Sequence, residues 1–332
     1  LPISGPRSHS EIGKTGLQVT KLGFGGAPLA GLFESVREED ARGALSAAYA
    51  AGIRYFDTAP YYGHGRGELR MGAFLRELPR DEIVISTKVG RLLVPAQPGA
   101  VEDHQYRDVL PLNPVFDFSA SGILRSFESS LERLGMERID ILHLHDPDDH
   151  YRDVLDQAFP TLARLREEGR IRAVGAGMNQ WEMLLELARS LDFDCFLLAG
   201  RYTLLDQSAF PHLLEECTRR RISILIGGPY NSGVLAAGSQ GAGHYDYRTP
   251  PPSILDRVAR LEGVARRHQV PLKAAALQFP LAHPAVASVL PGARTRAEVQ
   301  ENARLFSHPI PAAFWSELRA EKLLPQDVPV PS

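Results

Sequence analysis

YFDTAPYYG (55–63), IVISTKVG (83–90) and IDILHLHDP (139–147) decide how this chain is read. Each opens as a short apolar run rich in β-branched or aromatic residues and closes on polar or turn-forming ones, the pattern of a buried strand. Strand side chains alternate between two faces. Tyr55, Asp57 and Ala59 therefore share a face, as do Val84, Ser86 and Lys88, while His143 and His145 oppose Leu142 and Leu144. Asp57, Lys88 and His145 are expected to point into a barrel near its upper end, with Tyr62 in the turn before Gly63.

Five further runs read as strands: KLGFGGAPL (21–29), IRAVGAG (171–177), FDCFLLAGRY (193–202), ISILIGG (222–228) and ASVLPGA (287–293). Amphipathic stretches such as REEDARGALSAAYAAG (37–52) and DVLDQAFPTLARLREEG (153–169) alternate with them. Eight such units predict an α/β fold, a closed (β/α)8 TIM barrel. No linker or composition shift divides the chain, so one domain over 1–332 is expected. EIGKTGLQVTKLG (11–23) reads as an N-terminal β-hairpin turning at Lys14–Gly16. Segments 91–118 and 231–253, and the tail from Phe306, exceed ordinary connections. The first two are expected at the C-terminal mouth, as pocket walls or as plain insertions.

Bulk properties narrow the function. A net charge of −3 gives no basic field for nucleic acid or an anionic membrane. No apolar run reaches the roughly 18 residues of a membrane helix, and LPISGPRSHS (1–10) has no hydrophobic signal core. Cys195 and Cys217 lie in apolar surroundings and form no disulfide framework, so a cytoplasmic, reducing location is expected.

A charged lysine inside a barrel needs a partner, and Asp57 is placed to be that of Lys88. Lys88 is then expected to stabilise the phenolate of Tyr62 and lower its pKa. Tyr62 becomes a general acid for carbonyl reduction or a base for alcohol oxidation, and His145 donates to the substrate oxygen. Taken alone, an Asp–Lys pair on adjacent strands is more often a structural salt bridge than a catalytic pair. A metal site is the competing constellation, from His143 and His145 with Asp146, Asp148, Asp149 and His150. Other strand ends (Met178–Asn179, Arg201–Tyr202, Pro291–Gly292) offer no good ligand set, so no metal is expected. His143 is expected to be a hydrogen-bonded interior histidine.

The FDTAxxYG, STK and LHDP signatures, in this order, resemble the aldo-keto reductase superfamily, roughly from Ile12 to Phe306. The resemblance implies Asp57, Tyr62, Lys88 and His145 as a catalytic tetrad and direct hydride transfer with NAD(P). It also implies that the hairpin plugs the barrel bottom. None of the glycine clusters is a Rossmann fingerprint, and the family binds its cofactor without one. GAGMNQ (175–180) resembles the family's GxSN segment, so Asn179 would hold the nicotinamide carboxamide. Ala199 stands where the family carries a glutamine, and Gly227 where it carries a stacking aromatic. Gly228, Asn231, Gly233 and Leu235 would form the pyrophosphate loop. In LPGARTRAEVQENA (290–303), Gly292 and Glu298 occupy positions that are basic in NADP-preferring members. Glu298 repels a 2′-phosphate but accepts from a ribose hydroxyl, so NAD is expected ahead of NADP. Arg294 would bind phosphate or stack on adenine, and Asn302 would contact adenine.

LGFGGAPLAGLF (22–33), FDTAPYYGHGRGE (56–68), STKVGRLL (86–93), HDPD (145–148) and GRYTLLDQ (200–207) look most like the family's sugar-oxidising branch. That implies a small-molecule substrate. The reaction would convert the anomeric hydroxyl of an aldopyranose of L-fucose, L-galactose or D-arabinose type to a lactone. Arg91, His104, Tyr106, Asp146 and Asn231 are the polar candidates for the pocket rim. Pyridoxal oxidation through its hemiacetal, general aldehyde or ketone reduction, and a cofactor-binding subunit of an ion channel remain as alternatives.

Overall fold

The computed structural model describes residues 5–97, 101 and 103–331, and among them the chain forms twelve short strands. They are β1 (His9–Glu11), β2 (Gln18–Thr20), β3 (Phe24–Gly25), β4 (Tyr55–Asp57), β5 (Val84–Val89) and β6 (Arg91–Pro95). There follow β7 (Leu112–Phe116), β8 (Ile141–His145), β9 (Ala173–Met178), β10 (Cys195–Ala199), β11 (Ser223–Gly227) and β12 (Val286–Leu290). Residues 1–4, part of the stretch read above for a signal core, lie outside the described residues, as do 98–100, 102 and 332.

Eight strands pair in the parallel order β3-β4-β5-β8-β9-β10-β11-β12. The ring closes where Val289 N donates to Lys21 O (2.9 Å), Gly23 N to Val289 O (2.9 Å) and Gly25 N to Pro291 O (3.1 Å). The seam is tight: a Cβ on Gly25 would lie 2.9 Å from Leu290 O, which is why this run carries glycine. The eight-unit barrel expected from the sequence is the observed architecture.

The alternation read from the sequence holds inside the barrel. Tyr55, Val84 and Ile141 pack there with Ile12, Leu17 and Val19 of the β1–β2 hairpin, which plugs the bottom. Ser223 Oγ fastens the plug, accepting from Gly13 N (2.8 Å) and donating to Glu11 O (3.1 Å). Two buried aspartates pin the strand bottoms. Asp140 accepts from Ile85 N (2.8 Å) and pairs with Arg80, and Asp194 accepts from Val174 N (2.8 Å) and pairs with Arg166. Each charge is thereby compensated at the rim of the core.

Both long segments reach the cavity at the mouth. Segment 91–118 contains an antiparallel hairpin, β6–β7, with Arg91 opposite Phe116 and Pro95 opposite Leu112. Its prolines are tolerated because a two-stranded ribbon has free edges. The connection between its two strands runs over the mouth, where Phe33 N donates to Gln105 O (2.7 Å). Segment 231–253 folds across the mouth as a strap. Arg201 holds Asp246 bidentately (2.8 and 3.1 Å), and His244 stacks on Phe33 with ring centroids 3.9 Å apart. The helix read at 153–169 is interrupted by a wide turn at Val154–Ala158 before Phe159–Glu167, where Pro160 cannot donate back along the helix. No helix among the described residues is long and apolar enough to cross a membrane.

Helix Arg66–Leu75 lies so close to helix Ala120–Leu134 that a Cβ on Gly72 would sit 2.2 Å from Leu134 O. Gly72→Ala is expected to destabilise by about 1–3 kcal/mol through this backbone clash. Gly43→Ala, in helix Glu38–Ala50 with open space around it, is expected to stabilise by up to about 1 kcal/mol. Thermal melts of the two variants should shift in opposite directions; a shared direction would contradict this packing.

Candidate active site

At the C-terminal end of β5, Lys88 enters the barrel interior and is 1% exposed. Its ammonium donates to Asp57 Oδ2 (2.8 Å) on the neighbouring β4 and to Thr58 O (2.8 Å). The other carboxylate oxygen of Asp57 accepts from Ser86 Oγ (2.7 Å), itself 3.0 Å from the Tyr55 hydroxyl. Each buried charge thus faces the other and at least one further polar partner.

Tyr62 lies in the turn after β4, just before helix Arg66–Leu75. Lys88 Nζ sits 4.5 Å from its ring centroid. The His145 ring stands 5.9 Å away at 87°. Burial, then Asp57 and Asp146, push the Tyr62 phenol well above its ordinary range, with Arg91 opposing them. This departs from the lowering expected above, because burial disfavours the phenolate and the carboxylate of Asp57 beside Lys88 adds to that effect. Tyr62 therefore rests as a protonated phenol.

Burial, then Arg91 and Lys88, hold His145 well below the usual imidazole range, so the ring is neutral. Its Nε2 is 3.7 Å from Asp146 Oδ2, and its Nδ1 is buried without a partner among the described residues. His143, one layer down, is pushed to about 3 by burial and Lys88. Neither of its ring nitrogens finds a partner among the described residues, which differs from the hydrogen-bonded histidine expected. Its ring fills the space that a side chain at Gly175 would need. Among the described residues no three His, Cys, Asp or Glu side chains converge as a metal-ligand set.

A cavity of about 590 Å³ opens over Asp57, Tyr62, Lys88 and His145. The structure brings Asn179, Gly227, Gly228, Gly233, Gly292, Arg294, Glu298 and Asn302 to its walls, together with Arg91, Tyr106 and Asp146. Three expected residues do not line it. Asn231 is buried, with Oδ1 accepting from Thr203 Oγ1 (2.6 Å) and Nδ2 donating to Gly200 O (3.1 Å), so it latches two loops together. Leu235 packs into the hydrophobic core. His104 is exposed. Irregular backbone and a one-turn helix give no periodicity from which these side-chain directions could be read. Conversely, Tyr61, Phe116, Tyr247 and the Lys273–Glu301 ion pair line the cavity without having been singled out. The tandem Tyr61-Tyr62 before Gly63 was the one available signal.

The cavity floor suits a flat ring. Gly177, Ala199 and Gly227 meet there on three adjacent strands, and Leu197 Cδ2 lies 2.9 Å from where a Cβ on Gly227 would be. Asn179 Nδ2 donates to Ala199 O (2.9 Å), leaving its side-chain oxygen available. Asn302 accepts from Tyr230 OH (2.7 Å), leaving its amide nitrogen available. Glu298 closes a capping box with Thr295, and its Oε2 accepts from Arg294 N (2.6 Å).

The profile of the aldo/keto reductase family matches residues 21–321. The chain is 42% identical to the pyridoxal 4-dehydrogenase of Microbacterium luteolum, over 94% of this chain and 97% of that one. It is also 42% identical to the D-threo-aldose 1-dehydrogenase of a Pseudomonas species, over 93% and 96%. Among solved structures, the aldo-keto reductase AKR11C1 from Bacillus halodurans, in its holo form, superposes with a TM-score of 0.75. Its identity is 25%, covering 97% of this chain and 98% of that one.

Lys88→Met leaves Asp57 buried without its cation, a change expected to cost about 3–5 kcal/mol. Adding Asp57→Asn removes the stranded charge and should recover much of the lost melting temperature. Additive losses in the double variant would mean that the two side chains are not coupled.

Proposed function

The chain belongs to the aldo-keto reductase family of nicotinamide-dependent oxidoreductases, and from that premise we propose that it oxidises the anomeric hydroxyl of an aldose to the lactone. The observation that carries the mechanism is Tyr62 set over the buried Asp57–Lys88 pair, with neutral His145 at right angles to it. A bound nicotinamide supplies the hydride acceptor. His145 donates a hydrogen bond to the reacting oxygen, and Tyr62 takes that oxygen's proton at its phenol oxygen. The substrate class follows the resemblance to D-threo-aldose 1-dehydrogenase.

Asn179, Gly227, Gly228 and Gly233 would hold the nicotinamide half of the cofactor, and Gly292, Arg294, Glu298 and Asn302 the adenosine half, all in one barrel domain. Glu298 caps its helix with Oε2, while Oε1 has, among the described residues, only Arg294 at 3.9 Å and can accept from a ribose hydroxyl. NAD is therefore proposed ahead of NADP. A reducing cytoplasm suits the free, buried Cys195 and Cys217. A second reading, oxidation of the pyridoxal hemiacetal, is favoured by the aromatic walls Tyr61, Tyr106 and Phe116 and by the resemblance to pyridoxal 4-dehydrogenase.

Mixing the protein with NAD⁺ or NADP⁺ and L-fucose, L-galactose, D-arabinose or pyridoxal tests these readings. Turnover of a sugar with higher kcat/KM for NAD⁺ is expected. Oxidation of pyridoxal alone would move the substrate to the second reading. Aldehyde reduction with NADPH and nothing else would reject the sugar and the Glu298 argument together.

Tyr62→Phe removes the exchangeable proton and should lower kcat by about 10²-fold or more while NADH still binds. The pH profile has a definite sign. Oxidation needs the phenolate, and a raised pKa makes that form scarce at neutral pH, so the oxidation rate should climb roughly tenfold per pH unit into the alkaline range. Reduction needs the phenol and should not fall across neutrality. A flat oxidation profile under conditions where chemistry limits the rate would reject Tyr62 as the base.

A further inference from the structure

Asp146 follows His145 directly and has a backbone φ of +46°, left-handed for a non-glycine residue. Its amide still donates to Gly177 O (3.0 Å), so the β8–β9 ladder continues to this point. Strand alternation would send the residue after an inward His145 outward to the helix layer. The left-handed turn brings Asp146 back over the cavity. A strained backbone that aims a charge at a catalytic imidazole needs a reason, and the proton transfer described above does not use this carboxylate.

The carboxylate is held in place. Arg91 donates to its Oδ2, and the Arg91 guanidinium is itself clamped 4.5 Å from the Tyr61 ring centroid and 4.6 Å from that of Phe116. The same Oδ2 is 3.7 Å from His145 Nε2. Oδ1 receives no hydrogen bond from any described residue, and a carboxylate can accept several. Asp146 therefore presents a fixed, unfilled acceptor beside the imidazole proposed to hold the reacting oxygen.

We propose that Asp146 is a specificity-determining residue, accepting a hydrogen bond from the hydroxyl on the carbon next to the one oxidised. The assignment rests on the aldose reading above. An oxygen held by His145 Nε2 lies about 3 Å from it, within reach of the Asp146 carboxylate. On an aldopyranose, two oxygens neighbour the anomeric one: the ring oxygen and the C2 hydroxyl. The ring oxygen carries no proton and an ionised carboxylate donates none, so only the C2 hydroxyl satisfies Asp146. A substrate without that hydroxyl leaves the carboxylate facing carbon, which a site built for a hydroxyl rejects strongly. The pocket thereby distinguishes a polyhydroxylated substrate from a simple aldehyde.

D-arabinose and 2-deoxy-D-ribose differ only in this hydroxyl, so the ratio of their kcat/KM values with NAD⁺ isolates it. The wild type should favour D-arabinose by about 100-fold or more. Asp146→Gly, which the left-handed backbone accommodates, should lower that ratio at least about tenfold. Asp146→Asn should fall between the two, since it keeps an acceptor but not the charge. NADH titration shows that each variant is folded; should the glycine variant fail to bind NADH, the asparagine variant decides. Equal loss on both sugars, leaving the ratio unchanged, would overturn the assignment and make Asp146 a support for His145. A wild type that oxidises both sugars equally well would overturn it while keeping the aldose reading. A wild type that oxidises no aldose at all would overturn that reading, and this assignment with it.

Discussion

The buried ion pair between Lys88 and Asp57 is the constraint on which the upper half of this barrel depends. Removing an ammonium and a carboxylate from water costs several kcal/mol each, and their attraction offsets this only when every remaining donor and acceptor is met. The interior supplies Thr58 O on one side and the Ser86–Tyr55 hydroxyl chain on the other. These partners come from strands β4 and β5 alone, so the register between those strands cannot slip without stranding a charge.

Strand β5 transmits that constraint to Tyr62 through its opposite face. Thr87, between Ser86 and Lys88, points outward and donates to Glu68 Oε1 (2.6 Å), whose other oxygen accepts from Arg133 Nε (2.6 Å). Glu68 is fully buried and sits in the first turn of helix Arg66–Leu75, directly after the turn that carries Tyr62. The inner face of the strand fixes what lies beneath the phenol, and the outer face fixes the segment that delivers it. The close approach of Gly72 to Leu134 locks the same helix from behind.

This division explains what could be read from the sequence. Asp57, Lys88 and His145 were legible because strands have a period of two, and charges on an otherwise apolar face must find each other. The barrel followed from repetition of that pattern, and the N-terminal plug from a turn signal between short apolar runs. The electrostatics of Tyr62 were not legible, because they depend on how deeply the phenol is buried and how near Asp57 and Asp146 lie, which are distances and not residue types. The Arg91–Asp146 pair joins residues just past two neighbouring strands, and Asp146 reaches the cavity only through a left-handed residue that alternation would have sent outward. Asn231 failed for the related reason that a loop's backbone, unlike a strand's, does not fix which way a side chain faces, and Leu235 lies in a one-turn helix, Val234–Ala237, too short to show a period.

The two ion pairs of the cavity use one chemistry in two dielectric settings. Asp57–Lys88 has side chains 4% and 1% exposed, and Arg91–Asp146 has 16% and 31%. In the dry interior the attraction is strong but largely offset by desolvation, so that pair contributes geometry more than net stability. At the wetter rim the attraction is weaker and partners exchange at small cost, since water can replace whatever leaves. A carboxylate that accepts one arginine there, and keeps an oxygen unfilled, can take up a substrate hydroxyl without unbuilding the site. On the proposed reading, depth within the barrel separates the groups that must never let go from those that recognise what enters.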